Sequence, residues 1–367
     1  MLVAASILGV ALVLFVLWDA FETIVLPRRP RRGFRITRTF YRATWRPWRF
    51  IACWLSTRNK KRHETFLSLF GPLSLLMLLM TWALGLILGF AVLHWSAGTH
   101  LGGSTVGGFA EDLYFSGSTF FTLGMGDVTP NNNVARLLAV LEAGMGFAFL
   151  AIMIGYLPVI YQSFSRREVS ISLLDARAGT PPTALELLRR HGDHIEELGR
   201  LLEGWEQWSA ELLESHMSYP VLAYFRSQHD NQSWLGALTA VLDSCALCMA
   251  GFYDGPSRQA RLTFAMARHA LVDLAQVFNT PPLHDHDRLT PASMEELHGM
   301  VQQCVECQNA PSADELTRRL HELRAMYEPY AAALGQFLLI ELPPWVRHDH
   351  APKDNWETSR WGRDTVV

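Results

Sequence analysis

Between Pro27 and His63 the sequence has no Asp or Glu, and between Ser96 and Asn132 it has no Lys or Arg. Water-facing surfaces ordinarily intersperse both signs, so two single-signed loops of this length argue against a soluble front half. Charge is missing altogether from residues 2–18 and from Thr65 to Leu93. Runs of that length without charge read as membrane spans. No G-x-G-x-x-G follows a strand-like run, which argues against a dinucleotide-binding domain. No strong alternation of apolar and polar residues marks a sheet. Nucleophile–base constellations are missing too, so neither an enzyme nor a nucleic-acid partner is expected.

What the 367 residues do have is apolar character, 49% hydrophobic against 18% charged. At about 1.5 Å per residue, a helix over residues 2–26 spans a hydrocarbon core of about 30 Å. Its start lacks the basic region and small-residue cleavage site of a signal peptide, so an anchor is expected. The second span covers Thr65–Leu93. A third runs from about Asn133 to Ser165, with Arg136 near its start and Glu142 the one charge deeper inside. Thirteen Arg and Lys residues crowd positions 27–63, and Arg166 and Arg167 follow the third span. By the positive-inside rule, residues 27–63 and the tail are cytoplasmic, while 96–132 and the N-terminus face outside. A multi-pass protein of the cell (plasma or inner) membrane is expected.

The overall charge of −3 hides two halves. Residues 1–163 carry 14 Lys and Arg against 7 Asp and Glu, whereas residues 164–367 carry 18 against 28. A basic membrane unit is therefore followed by an acidic, water-compatible one. The boundaries read as a first transmembrane helix over 1–27, a basic interfacial helix over 28–64, a membrane module over 65–165, a linker over 166–182, a helical cytoplasmic domain over 183–345 and a loose end over 346–367. The fold class is all-α.

Arg32, Arg35, Arg38, Arg42, Arg46 and Arg49 recur at steps of three or four, on one helical face, with Phe34, Tyr41, Trp45 and Trp48 among them. Regular arginines suit a voltage sensor, but a sensor must cross the membrane, and this stretch is polar and interrupted by Pro47. A helix on the inner leaflet, its arginines on anionic headgroups and its aromatics at the interface, fits better. Asp19 and Glu22 lie toward the cytoplasmic end of the first span, where ionisable groups are costly unless paired. The neighbouring arginines are the expected partners.

Between the second and third spans stands Asp112-Leu-Tyr-Phe-Ser-Gly-Ser-Thr-Phe-Phe-Thr-Leu-Gly-Met-Gly-Asp-Val-Thr-Pro130. Residues 112–121 suit a helix too short to span the bilayer, with Glu111 and Asp112 at its positive N-terminal end. Such a helix can dip in and return if protein or water surrounds the irregular part. A row of backbone carbonyls directed at one axis can replace the water shell of a potassium ion. That row needs unusual backbone angles, which Gly124 and Gly126 allow at alternate positions, while Thr122 adds a hydroxyl.

These residues resemble the potassium-channel family, with Thr122-Leu-Gly-Met-Gly-Asp127 where that family has T-V-G-Y-G-D. The likeness extends to Tyr114-Phe115-Ser116 and Thr129-Pro130 and covers roughly residues 66–165. It implies a two-helix pore module with a re-entrant pore helix and a cyclic homotetramer. Thr122, Leu123, Gly124, Met125 and Gly126 would form the filter, supported by Asp127 and Glu142. Potassium would be the permeant ion rather than a bound cofactor. Glu142-x-x-x-Gly146 looks like the inner helix of prokaryotic inward-rectifier-type channels, and Glu142 would either buttress the filter or face a watery cavity. Gly144, Gly146 and Pro158 are candidate gating hinges; the alternative for the glycines is close helix packing. Met125 replaces the family's tyrosine and the pore helix has no tryptophan, so bracing is expected from apolar packing and sulfur–aromatic contacts.

In the tail, Thr183–Glu186, Ser293–Glu296 and Ser312–Glu315 match the capping box. Cys245/Cys248 and Cys304/Cys307 form two C-x-x-C pairs. Their separation exceeds the usual zinc spacing, and Cys245-Ala-Leu-Cys-Met249 reads as core, so no metal is expected. His284-Asp-His-Asp287 reads as a polar loop. Residues Ser218–His229 suit buried hydrogen bonding between helices better than a ligand pocket.

Overall fold

The computed structural model describes residues 2–26, 35–57, 60–97, 101–102, 108–191, 194–229, 231–251, 256–285, 287–304, 312–347 and 354. Arg32, Phe34, His286 and Cys307 lie outside the described residues, as does the side chain of Cys304. The chain divides into two compact units, residues 1–162 and residues 163–367.

In the first unit, α1 (Leu2–Ile24), α3 (Lys60–Ser96) and α5 (Asn133–Ala178) are each long and apolar enough to cross a membrane. Without a hydrophobic drive between helices in lipid, close packing needs small residues. Gly85-Leu-Ile-Leu-Gly89 supplies them on α3. A Cβ at Gly89 would lie 2.6 Å from Val13 Cγ2, one at Gly85 2.9 Å from Val16 Cγ2, and one at Gly9 2.9 Å from Leu93. These pairs run in opposite order along the two helices, so α1 and α3 pack antiparallel.

At one end of that pair Asp19 and Glu22 are buried, at 2% and 7% exposure. Asp19 Oδ2 accepts from the Thr37 hydroxyl at 2.7 Å, the Thr37 amide at 3.2 Å and Trp82 Nε1 at 3.0 Å. Trp18 Nε1 donates to Glu22 at 2.6 Å, and Arg35 Nε lies 3.5 Å from Glu22 and 4.0 Å from Asp19. The carboxylates are thus paired by an arginine of the following segment, as costly buried charge requires.

Helix α2 (Ile36–Ser56) runs through Pro47. Trp48 stacks on Phe66 at 4.3 Å and Trp45 packs on Phe70 at 4.7 Å, which fixes the aromatic face against α3. Arg38, Arg42 and Arg46 are left exposed. Helix α4 (Phe109–Phe120) follows, flanked by a two-residue antiparallel pair in which β1 (Leu101–Gly102) meets β2 (Thr129–Pro130). That small pairing is an exception to the all-helical expectation.

The third helix does not stop near Ser165. It continues without a break to Ala178, so most of the expected linker is helix. Residues 163–178 of α5 belong to the second unit, with α6 (Ala184–His191), α7 (Ile195–Ser218), α8 (Trp234–Ala250), α9 (Ser257–Phe278), α10 (Pro291–Cys304), α11 (Ala313–Ala325) and α12 (Glu328–Leu338). Helix α8 is buried almost all round, which explains its apolar sequence. Cys245 and Cys248 sit in it, and burial pushes both thiols up, the second to about 12. Arg167 is not a solvated flanking charge: it is buried, donating to the carbonyl oxygens of Leu222 at 2.9 Å and Phe225 at 2.8 Å. The 218–229 stretch therefore does serve buried hydrogen bonding.

Asp243 of α8 takes a bidentate pair from Arg288 at 2.8 and 2.9 Å, and Arg288 also reaches Glu328 at 2.9 Å. Asp287, from the expected polar loop, pairs with Arg324. The caps at Thr183 and Ser312 form, each accepting at 3.3 Å from the amide of the glutamate three residues on. For α10 the cap is Thr290 rather than Ser293, its hydroxyl accepting from the Ser293 amide at 3.1 Å, because Pro291 takes the first helical turn. Asp354 is 1% exposed: it accepts from the Thr180 amide at 3.0 Å and pairs with Arg190 at 2.7 Å and Arg347 at 2.9 Å. This point of the expected loose end is held firmly.

Candidate ion-conduction site

Helix α4 starts after Gly108, with Glu111 and Asp112 in its first turn, where the helix dipole favours negative charge. It ends in tight backbone turns: the Phe121 amide donates to Gly117, that of Thr122 to Thr119 at 3.0 Å, and that of Leu123 to Ser118 at 2.8 Å. Beyond them, φ is +56° at Thr122, +59° at Gly124 and +80° at Gly126, while Leu123 and Met125 keep ordinary negative values. Positive φ thus falls at every second residue from 122 to 126. A Cβ at Gly124 or Gly126 would meet nothing within 4 Å, so these glycines are needed for their angles rather than for space. Thr122 adopts the same region with a β-branched side chain, an uncommon conformation for its type.

Leu123 and Met125 are 66% and 68% exposed, and neither packs inside the chain. The brace expected from Met125 is therefore not made within the chain. A polar one stands in its place: the Tyr114 hydroxyl donates to Asp127 at 2.9 Å, tying the far end of the segment back to α4.

Behind the segment, Glu142 of α5 is fully buried. His94 Nε2 of α3 lies 3.2 Å from its carboxyl, and the Ser116 hydroxyl of α4 hydrogen-bonds to it as well. Ser116 Oγ is also 2.8 Å from the Ile87 carbonyl oxygen, and the His94 ring meets Phe115 edge-on at 5.0 Å. One carboxyl thus joins three helices, which favours a buttress over a watery cavity. One turn further on, Gly146 seats α5 against the end of α4: a Cβ there would lie 2.0 Å from the Phe120 carbonyl oxygen. Gly146 is a packing glycine. Nothing lies within 4 Å of a Cβ at Gly144, and α5 runs unbroken through Gly144, Gly146 and Pro158. Its start is capped by Asn132, whose side-chain oxygen accepts from the Ala135 amide at 2.7 Å.

On α5, Val140, Phe147, Leu150, Ile154 and Tyr161 recur at steps of three, four or seven and are all exposed. His94 and Tyr114 were not expected as site residues. His94 sits at the end of an apolar run with nothing in the spacing to link it to Glu142, and the only signal for Tyr114 was its place ahead of the Gly-rich segment. Among the described residues no group of three or more His, Cys, Asp or Glu side chains converges.

Residues 76–162 match the protein family described as ion channel. An uncharacterized membrane protein, YdjJ of Bacillus subtilis (strain 168), is 24% identical over 251 residues, covering 66% of this chain and 72% of its relative. No solved structure matches the chain. The chain is a membrane protein, and its residues 76–162 resemble an ion-channel domain of the two-helix, potassium-channel type.

Proposed function

We propose that four copies of the chain surround an axis and conduct potassium through the carbonyl oxygens of Thr122, Leu123, Gly124 and Met125. The observation that carries this reading is the alternation of positive φ at 122, 124 and 126 on a segment that directly follows the short helix α4. A surface turn needs one or two such angles, whereas a coordinating row needs them at every second residue. Glu142, His94 and Ser116 hold the pore helix from behind, and the Tyr114–Asp127 bond fixes the outer end. Neither group of contacts touches the ion; both set how firmly the carbonyls are held. The exposed face of α5 and the exposed side chains of Leu123 and Met125 supply apolar surface for neighbouring subunits. No enzymatic step belongs to this reading.

Orientation follows from the loop charges: the 96–132 loop outside, α2 on the anionic inner leaflet and the tail in the cytoplasm of a plasma or inner membrane. The test is potassium efflux from liposomes holding the purified chain. Wild type is expected to release potassium, and Gly124→Ala to release none, because alanine resists a φ of +59°. Equal efflux from both would overturn the filter assignment.

A further inference from the structure

A cleft of about 470 Å³ lies between residues 170–177 of α5, the end of α6 and the face of α7. That volume falls within the roughly 300–1,000 Å³ of small-molecule sites. Its wall is apolar, built on Leu174 and on Trp205 and Trp208, whose indoles meet at 4.6 Å. Four side chains bring donors or free ring nitrogens to it. Arg200 forms no ion pair among the described residues, and Arg177 donates only to its own helix, to the Leu173 carbonyl oxygen at 3.3 Å. Trp205, 4% exposed, has no hydrogen-bond partner for its indole N–H among the described residues. His191, 8% exposed, places Nδ1 2.7 Å from the Leu187 carbonyl oxygen, so its other ring nitrogen has none either. Among the described residues Glu197 is the single carboxylate lining the cleft.

A locally cationic cleft is unexpected in a half-chain with 18 basic residues against 28 acidic ones. Two guanidiniums left unpaired at one opening, in acidic surroundings, suit an acid group. Gly204 adds a separate sign. It stands in the interior of α7, where glycine costs about 1 kcal/mol relative to alanine. Its φ is not positive, and a Cβ there would meet nothing within 4 Å, so neither backbone nor packing asks for it. Gly204 lines the cleft, so a longer side chain at this position would take up its space.

We propose that this cleft binds a small organic anion with an apolar or aromatic body, its acid group held by Arg177 and Arg200 and its body against the Leu174–Trp205 wall. Because one wall is α5, the helix that also carries Glu142 and Gly146, an occupant ties that helix to α7. The regulatory consequence rests on the proposed conduction; the binding does not.

The experiment uses the full chain in nanodiscs of neutral lipid, with 4-fluorophenylacetate as the probe and its ¹⁹F line width as the readout. The wild-type chain should broaden the line beyond empty nanodiscs. Arg177→Gln with Arg200→Gln should weaken the effect at least tenfold, and Gly204→Met, which fills the cleft, should remove it. Both arginines and Gly204 are exposed, so helical content measured by circular dichroism should hold in all variants. No broadening by wild type, equal broadening by the variants, or equal broadening of the uncharged 4-fluorophenylacetamide would each overturn the proposal. Because the readout is binding, it stands or falls apart from whether the chain conducts.

Discussion

Gly146→Ala separates packing from hinging in α5. The added methyl would arrive 2.0 Å from the Phe120 carbonyl oxygen and 2.8 Å from its carbon, against ordinary contact from 3.4 Å. Either helix must therefore give way by about 1.4 Å, and the obstacle is backbone, which cannot rotate aside. Overpacking typically costs about 1–3 kcal/mol, and a backbone obstacle belongs at the upper end. Replacing glycine in a helix returns about 1 kcal/mol of propensity, leaving a net loss of about 2 kcal/mol by these two figures. Phe120 is the last residue of α4, and Thr122 and Leu123 hang from that turn, so the displacement falls on the carbonyl row. Potassium efflux from liposomes should drop by at least tenfold, and the thermal midpoint should fall. Gly144→Ala is the control: with open space around it, it should gain stability and conduct as wild type does. Wild-type efflux from Gly146→Ala together with a closed Gly144→Ala would refute the packing reading and restore a hinge at Gly144.

Two further outcomes are expected. Burial opposes ionisation of Asp354, but hydrogen bonds from Arg190 and the Thr180 amide outweigh it and hold its carboxyl below the usual 3.8. A lowered carboxylate contributes stability above its ordinary value and loses it as pH falls through the lowered one. Asp354→Asn should therefore be less stable than wild type at neutral pH, with the difference shrinking below about pH 4 and gone once pH is under the lowered value; a difference that persists in full through that range would contradict the pairing. Neutralising Arg38 and Arg42 together should weaken association of spin-labelled phosphatidylserine by about 1 kcal/mol per arginine, with any conductance–voltage curve nearly unshifted; a large shift would revive a sensor role for α2.

The features legible in the sequence are those set by local chemistry. Uncharged runs gave the three apolar helices, Gly124 and Gly126 the left-handed positions, and Glu111 and Asp112 the start of α4. Arginines beside Asp19 and Glu22 announced their partner in Arg35. What stayed hidden depends on which distant residue meets which. Glu142 stands out as a charge in an apolar helix, yet nothing in its surroundings names His94, 48 positions away, or Ser116, 26 away. Gly85 and Gly89 look like ordinary members of an apolar run until Val13 and Val16 are seen packed on them. Arg166 and Arg167 read as the end of a span because charge usually ends one, but Arg167 finds buried carbonyls and the helix continues. Ser293–Glu296 fits the capping-box pattern and Thr290 does not, yet with Pro291 in the first turn it is Thr290 that caps α10.

The central claim is selective conduction through the 122–125 carbonyls, and the reversal potential under opposed potassium and sodium gradients tests it most directly. Size-based and field-based accounts of selectivity both depend on how firmly carbonyls are held. Here Tyr114 braces Asp127, but Met125 has no packing within its own chain, so a preference for potassium weaker than that of T-V-G-Y-G-D filters is expected. The reversal potential should lie on the potassium side of zero and move there with the potassium gradient. A potential at zero, with both ions carried equally, would contradict potassium selectivity and leave a nonselective cation channel.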